Sequence, residues 1–129
     1  MAARRTGPAT ARAAYEAAHV GVRAYLADLP AEVWGRPSVL AGWTVSDLGA
    51  HLVLVADSLT ALAPAPGSTR PLRLEAYMAT YPAAAAVLAE RTRAAAGGPD
   101  RSPAHLLDAL DERFAEAVRV LDGLGPGDP

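Results

Sequence analysis

Apolar residues recur every three to four positions along three long stretches of the chain, a spacing that predicts helices. The first helix is expected from about Ala9 to Leu29, where Pro30 ends it. Its predicted buried positions are Tyr15, Ala18, Val22, Tyr25, Leu26 and Leu29. No segment of useful length alternates polar and apolar residues, so the pattern predicts an all-α antiparallel bundle of about four helices.

The second helix has a well-defined predicted start. Thr44 and Asp47 have the spacing of a capping box with aspartate as the acidic residue, and Gly42 and Trp43 form the turn before it. At 100° per residue, one apolar stripe follows. It comprises Val45, Leu48, Leu52, Val55, Leu59 and Leu62, with Ser46, Ala50, Val53, Asp57 and Thr60 on the opposite side.

The later part of the chain predicts two further helical segments. In the first, Pro82 either begins a new helix or kinks a continuous one, and Gly97-Gly98-Pro99 ends the segment. Ser102 and Pro103 then supply a cap and first residue for the fourth helix. Its predicted buried stripe is Leu107, Leu110, Phe114, Val118 and Leu121.

Two residues outside these stripes carry separate expectations. Trp34 lies in the loop from Pro30 to Gly42, and we expect it to cover a small core. Gly49 lies inside the second helix, where glycine costs about 1 kcal/mol relative to alanine. Gly49 either allows another helix to approach closely or is a glycine that has been retained by chance.

Composition narrows the possible functions. The chain has 129 residues and suits one domain, residues 1–129. Its formal charge of -2 gives no reason to expect nucleic acid or an anionic membrane as partner. It has no apolar run of bilayer length and no signal peptide, so we expect a cytoplasmic protein without a membrane partner. It also lacks cysteine, which excludes cysteine-ligated metals and a cysteine nucleophile within these residues.

His51 is the main candidate for a functional residue. It lies about 60° from the centre of the apolar stripe of its helix, at the margin of the interior. From that position an imidazole reaches a polar cavity between helices, where helical bundles build metal sites. The competing interpretation is a structural histidine satisfied by one hydrogen bond at the edge of the core.

The other two histidines are weaker candidates. His19 lies at the margin of the stripe of the first helix and is a minor candidate for a contribution to a site. His105, like Asp108 and Glu112, points away from the stripe of the fourth helix. We therefore expect no acidic metal cluster on that helix.

The residues around the second helix resemble a known family, the N-terminal metal-binding domain of mycothiol-dependent maleylpyruvate isomerases, within the DinB-like helical bundles. The resemblance is carried by the pattern Ser38-x-Leu40-x-Gly42-Trp43-Thr44-Val45-x-Asp47-Leu48-x-x-His51-Leu52. A weaker similarity follows in residues 77–93 and 106–121. The abundance of alanine and the absence of lysine indicate a GC-rich genome, in agreement with an actinobacterial thiol cofactor.

The resemblance implies a divalent metal, usually zinc, and mycothiol as cofactor, with a small-molecule substrate. The metal would polarise a thiol or a water molecule. Of the family's ligands only His51 has a counterpart here, because the later segment of the type Arg-x-x-Glu-x-x-x-His is absent from this sequence. A catalytic zinc normally takes three protein ligands. The sequence is therefore expected to be the N-terminal part of the family domain without its last metal-ligand helix.

Two functions remain open at this point. The chain is either the metal-binding helical domain of a mycothiol-dependent isomerase or thiol-transferase-like enzyme, or a non-catalytic interaction or regulatory module that has lost the metal site. For a helical chain with incompletely covered apolar faces we also expect self-association, such as a homodimer.

Overall fold

The computed structural model describes residues 7–63, 67–68, 70, 72–96 and 102–123. Five helices account for most of these residues: α1 (Pro8–Ala27), α2 (Val45–Thr60), α3 (Leu74–Met78), α4 (Tyr81–Ala96) and α5 (Pro103–Gly123). A single 3-10 turn, Ala31–Val33, lies between α1 and α2. The predicted all-α class is confirmed, with four long helices and the short α3 in addition.

Helix α2 is the centre of the packing. It contacts α5 most extensively and also packs against α4, while α1 packs against α5. The buried core lies mainly between α2, α5 and the loop that follows α1. It consists of Leu26, Trp34, Ala50, Ala56, Leu106 and Leu110, with Leu29, Leu52, Val53 and Leu107 packed around it.

The start of α2 is fixed by the predicted capping box. The amide of Asp47 donates to Thr44 Oγ1 (3.2 Å), and the amide of Thr44 donates to Asp47 Oδ2 (2.8 Å). Just before it, Gly42 has a φ of 79°, which favours glycine, and the Trp43 amide closes the turn on the carbonyl of Leu40 (3.0 Å). The entry into α2 is thus determined by local sequence.

Trp34 connects the loop to α2. Its side chain is 3% exposed and belongs to the core cluster, which confirms the prediction that it covers a small core. Its carbonyl accepts two hydrogen bonds from Ser46, one from the amide (2.9 Å) and one from the hydroxyl (3.1 Å). The indole and its backbone therefore attach the loop to the first turn of α2.

Gly49 marks a close approach, but of a side chain. A Cβ atom at this position would lie 3.0 Å from the Trp34 ring and 3.5 Å from a methyl group of Leu106. The group that approaches Gly49 most closely is therefore the indole of Trp34 and not the backbone of another helix. Glycine leaves the space that Trp34 occupies.

The predicted stripes of α1 and α2 need correction. On α1, Val22 and Tyr25 are exposed, because this helix packs mainly against α5 and only part of its stripe is covered. Of the stripe predicted for the second helix, Val55 is exposed, and Leu62 lies beyond the end of α2 at Thr60 and is exposed as well. Ala50 is buried although it was assigned to the opposite side, because α2 has neighbours in two directions, α4 and α5.

The later helices differ from prediction in register. On α5 the buried residues are Leu106, Leu110 and Ala117, so the stripe is displaced from the one centred on Leu107 and Phe114. Contact with both α2 and α1 explains the displacement. Pro82 is the second residue of α4, which decides between the two alternatives in favour of a new helix. The predicted stop at residues 97–99 lies outside the described residues.

The first prediction concerns Gly21 of α1 and Gly49 of α2. Gly21→Ala in α1, where a Cβ meets nothing within 4 Å, is expected to raise the free energy of unfolding by about 1 kcal/mol through helix propensity. Gly49→Ala is expected to lower it by about 1 kcal/mol, because displacing the buried Trp34 ring costs roughly 1–3 kcal/mol. Urea denaturation of both variants checks the difference. Equal stabilisation by both substitutions would contradict the seat of Trp34 on Gly49.

A second prediction concerns the cap of α2. Thr44→Ala removes the acceptor for the Asp47 amide and is expected to destabilise the protein by about 1 kcal/mol. Thr80→Ala is the matched control, since its hydroxyl also bonds to backbone, the carbonyl of Tyr77, but at an exposed position. Its effect should stay within about 0.5 kcal/mol. A Thr44→Ala variant as stable as the control would show that the cap does not set the start of α2.

Candidate functional site

His51 lies on the side of α2 that faces α4, about two helical turns after the cap. Its burial is intermediate, neither open to bulk solvent nor sealed in the core. The ring of Trp43, from the residue before the cap, lies against it with centroids 5.9 Å apart and planes at 78°. The capped start of α2 thus places an edge-to-face aromatic contact on the imidazole.

The polar partner of His51 comes from α4. His51 Nδ1 lies 3.2 Å from the hydroxyl oxygen of Thr92, and that hydroxyl donates in turn to the carbonyl of Leu88 (2.9 Å). Thr92 is 1% exposed. Among the α4 side chains that the structure describes, it is the one buried residue. The pair joins α2 to α4 through a hydrogen bond that little water reaches.

The described residues do not assemble a complete metal site around His51. No group of three or more His, Asp or Glu side chains that could hold a metal ion occurs among them. Trp43 and Thr92, the contacts of His51 described above, carry an indole and a hydroxyl, which are not the usual ligands of zinc. These residues alone therefore do not fit a zinc site, although His51 itself is a suitable single ligand.

His19 is engaged elsewhere, between α1 and α5. Its Nε2 bonds to Asp111 Oδ1 (3.1 Å), and Arg23 Nε donates to the other oxygen of the same carboxylate (2.8 Å). The His19 ring stacks on Phe114 with centroids 3.8 Å apart and planes at 5°. These contacts give His19 a packing role at the interface of α1 and α5.

Tyr15 completes this aromatic group. Its ring centroid lies 4.9 Å from that of Phe114, and burial raises the pKa of its phenol above the ordinary value of 10.0. Arg12 extends the same interface through ion pairs with Glu16 on its own helix and with Asp122 of α5. These pairs are partly exposed, so the aromatic stacking rather than the charges is expected to contribute most here.

An apolar cavity of about 120 Å³ lies between α1, α2 and α5. Its lining residues are Tyr15, Ala18, His19, Val22, Leu52, Val55, Ala56, Leu110 and Phe114. His51 does not belong to this lining. The cavity and the polar pair therefore belong to different helix interfaces.

His105 and the acidic residues of α5 lie where the sequence places them. His105, Asp108 and Glu112 are all exposed, and the His105 amide donates to Ser102 Oγ (3.3 Å) as part of the predicted cap. The expectation that these acidic residues lie away from the buried face is confirmed. Within the described ranges, α5 adds no ligand next to His51 that forms a metal group.

Thr92 is the site residue that sequence reasoning missed. It lies in an alanine-rich helix without a clear apolar stripe, so periodicity gives it no inward assignment. The available signal was chemical: between Pro82 and Ala96, it is the only residue that is both β-branched and polar. Such a residue within a helix often bonds back to its own helix, as Thr92 does.

Comparison with known proteins supplies the family. None of the described helices is long and apolar enough to cross a bilayer. No curated protein and no solved structure matches the chain. The family model described as the mycothiol maleylpyruvate isomerase N-terminal domain matches residues 15–129, nearly the whole sequence. The match includes the capped helix, His51 and Thr92, and the chain therefore belongs to the mycothiol maleylpyruvate isomerase N-terminal domain family.

Proposed function

We propose that this chain is the helical domain of a mycothiol-dependent enzyme of the isomerase or thiol-transferase type, in which His51 supplies one ligand to a divalent metal, zinc in the first instance. The observation that carries the proposal is the hydrogen bond from His51 to Thr92 at 3.2 Å. Ligand histidines characteristically use one ring nitrogen for the metal and the other for such a bond. Family membership supports the thiol cofactor.

In this proposal Nε2 of His51 binds the metal. Nδ1 is engaged with Thr92, so Nε2 is the nitrogen left for a ligand. The remaining metal ligands of this proposal would come from outside the described residues, because the described ones contain no suitable group of three. The substrate would be a small molecule that reacts with a low-molecular-weight thiol. Such thiols are kept reduced in the cytoplasm, and the proposal places the protein there.

A second candidate function is supported by the exposed apolar residues of α3 and the start of α4. We call this group the α3 patch: it consists of Leu74, Tyr77, Met78 and Tyr81, all substantially exposed. Tyr77 and Tyr81 lie edge to face with centroids 5.6 Å apart. Clustered apolar residues of this kind are typical of protein interaction surfaces. They favour the interaction module, in which His51 is a structural residue.

Zinc binding distinguishes the two functions. If this chain supplies the remaining ligands as well, we expect the purified protein to bind zinc. His51→Ala should then lower the zinc affinity at least about tenfold, which is the smallest loss seen when an outer partner of a ligand is removed. Chelator competition measures the affinity. The matched control is His105→Ala, which removes an exposed histidine of α5 and should leave the affinity unchanged.

Two outcomes of the zinc titration would contradict the metal proposal. If the chain takes up less than about a tenth of an equivalent of zinc at micromolar metal, where structural sites of zinc proteins are saturated, the described residues do not bind metal usefully. Equal affinities of the wild type and the His51→Ala variant would also reject His51 as a ligand. Either result leaves the interaction module as the function that the structure supports.

Self-association tests the interaction module. Sedimentation velocity at increasing concentration is expected to show dimers, because the α3 patch leaves apolar surface uncovered in the monomer. Replacing Leu74 and Met78 together by serine should weaken the association at least about tenfold, as expected when two apolar contacts are lost. A control is Val39→Ser, since Val39 is 95% exposed and lies outside the patch. A stable monomer at high concentration would contradict this prediction.

A further inference from the structure

We propose that Thr92 is a positioning residue that holds the proton of neutral His51 on Nδ1 and so leaves the lone pair on Nε2. The importance of Thr92 for metal or thiol chemistry rests on the proposed function. The position of the proton on His51 does not depend on the proposed function. The inference depends on the hydrogen bonds that join α2 and α4.

The Thr92 hydroxyl has a single hydrogen to donate. In the 2.9 Å hydrogen bond between Thr92 Oγ1 and the oxygen of Leu88 the hydroxyl is the donor, because a carbonyl oxygen only accepts. The hydroxyl therefore has no second hydrogen to offer to the imidazole. It faces His51 Nδ1, 3.2 Å away, with a lone pair.

The imidazole must supply the hydrogen of this second bond. If the proton of neutral His51 were on Nε2, two lone pairs would face each other between Nδ1 and Thr92 Oγ1. With the proton on Nδ1, the ring donates to the hydroxyl, and both polar groups are satisfied. The arrangement is a short chain of two hydrogen bonds, from the His51 ring to Thr92 and from Thr92 to Leu88.

Burial and side-chain stiffness keep this arrangement in place. Thr92 is 1% exposed, so bulk water hardly competes for its hydroxyl. Its β-branched side chain has restricted χ1 rotation in a helix, and the bond to the carbonyl one turn earlier selects one rotamer. The hydroxyl lone pair is therefore aimed at α2 in a fixed direction.

Trp43 restrains the other partner. Its ring lies at 78° to the imidazole of His51 with centroids 5.9 Å apart, a geometry that disfavours rotation of the imidazole away from Thr92. The indole comes from the residue before the Thr44 cap, so the ring orientation depends on the entry into α2. Together, Thr92 decides which nitrogen carries the proton and Trp43 helps to keep that nitrogen facing the hydroxyl.

The test is nitrogen NMR of the ¹⁵N-histidine-labelled, metal-free protein at about pH 9, above the usual histidine range. We expect the wild-type His51 signals of a ring protonated on Nδ1. Thr92→Val keeps the shape of the side chain but removes the acceptor, and it should shift the ratio of the two neutral forms toward Nε2–H by roughly fivefold, the ratio that corresponds to one net hydrogen bond. Thr92→Ser retains the hydroxyl and should restore the wild-type form.

Controls separate a positioning role from a general effect on packing. Thr60→Val removes a hydroxyl that bonds to the carbonyl of Asp57 at the end of α2, and it should leave the His51 signals unchanged. His19 and His105 provide internal references within each spectrum. A wild-type ring protonated on Nε2 would overturn the inference by itself, even if Thr92→Val failed to fold. An unchanged proton position in a folded Thr92→Val variant would overturn it as well.

Zinc affinity, measured separately, distinguishes this inference from the proposed function. If His51 is a metal ligand, Thr92→Val should weaken zinc binding about 10- to 100-fold, as for other outer partners of ligand histidines. A tautomer shift in a protein that does not bind zinc would support the role of Thr92 and reject the metal proposal. Zinc binding through His51 without any tautomer shift would support the metal proposal and reject the role of Thr92.

Discussion

The close packing of the Trp34 indole against Gly49 is the constraint on which the rest of the structure depends. The ring is buried within the core cluster, and the position of a Cβ on Gly49 is only 3.0 Å from it. Since Leu106 of α5 also borders this position, one small residue lets a loop, α2 and α5 meet. The two bonds from Ser46 to the Trp34 carbonyl then hold the first turn of α2 in the same place.

This constraint determines where His51 lies. With one side of α2 occupied by Trp34 and α5, another side is left for α4, and His51 meets Thr92 there. The cap formed by Thr44 and Asp47 fixes the residue at which the helix begins and so the direction in which each later side chain points. Core packing and local capping therefore specify the position of the imidazole together.

The local features of the fold are predictable from the sequence, and the reasons are physical. The capping box requires only residues three positions apart, so Thr44 and Asp47 suffice to predict the start of α2. The intermediate burial of His51 follows from its angle to the apolar stripe of the same helix. The motif from Ser38 to Leu52 consists of these same neighbouring residues, so a single sequence is enough to recognise it.

Features that depend on contacts between helices could not be predicted in the same way. The burial of Leu106 instead of a stripe centred on Leu107 reflects the positions of α1 and α2, which periodicity within α5 does not encode. The exposure of Tyr25 has the same origin, since α1 is covered mainly from one side. The role of Thr92 depends on a partner 41 residues earlier in the chain. In the candidate site, the position of His51 is thus set by local sequence, whereas its contact with Thr92 is set by tertiary packing.

The composition of α4 gives the His51–Thr92 bond a structural meaning as well. This helix is rich in alanine, and its larger apolar residues Val87 and Leu88 are exposed. Apolar packing therefore does little to favour one rotation of α4 about its axis over another. Its one buried residue among the described side chains is polar. A buried hydrogen bond is directional, whereas contacts between alanines are nearly interchangeable. The hydrogen bond that orients the His51 imidazole is therefore also the contact that most strongly favours one rotation of α4 against α2. The candidate site and the packing of this helix pair thus depend on the same bond.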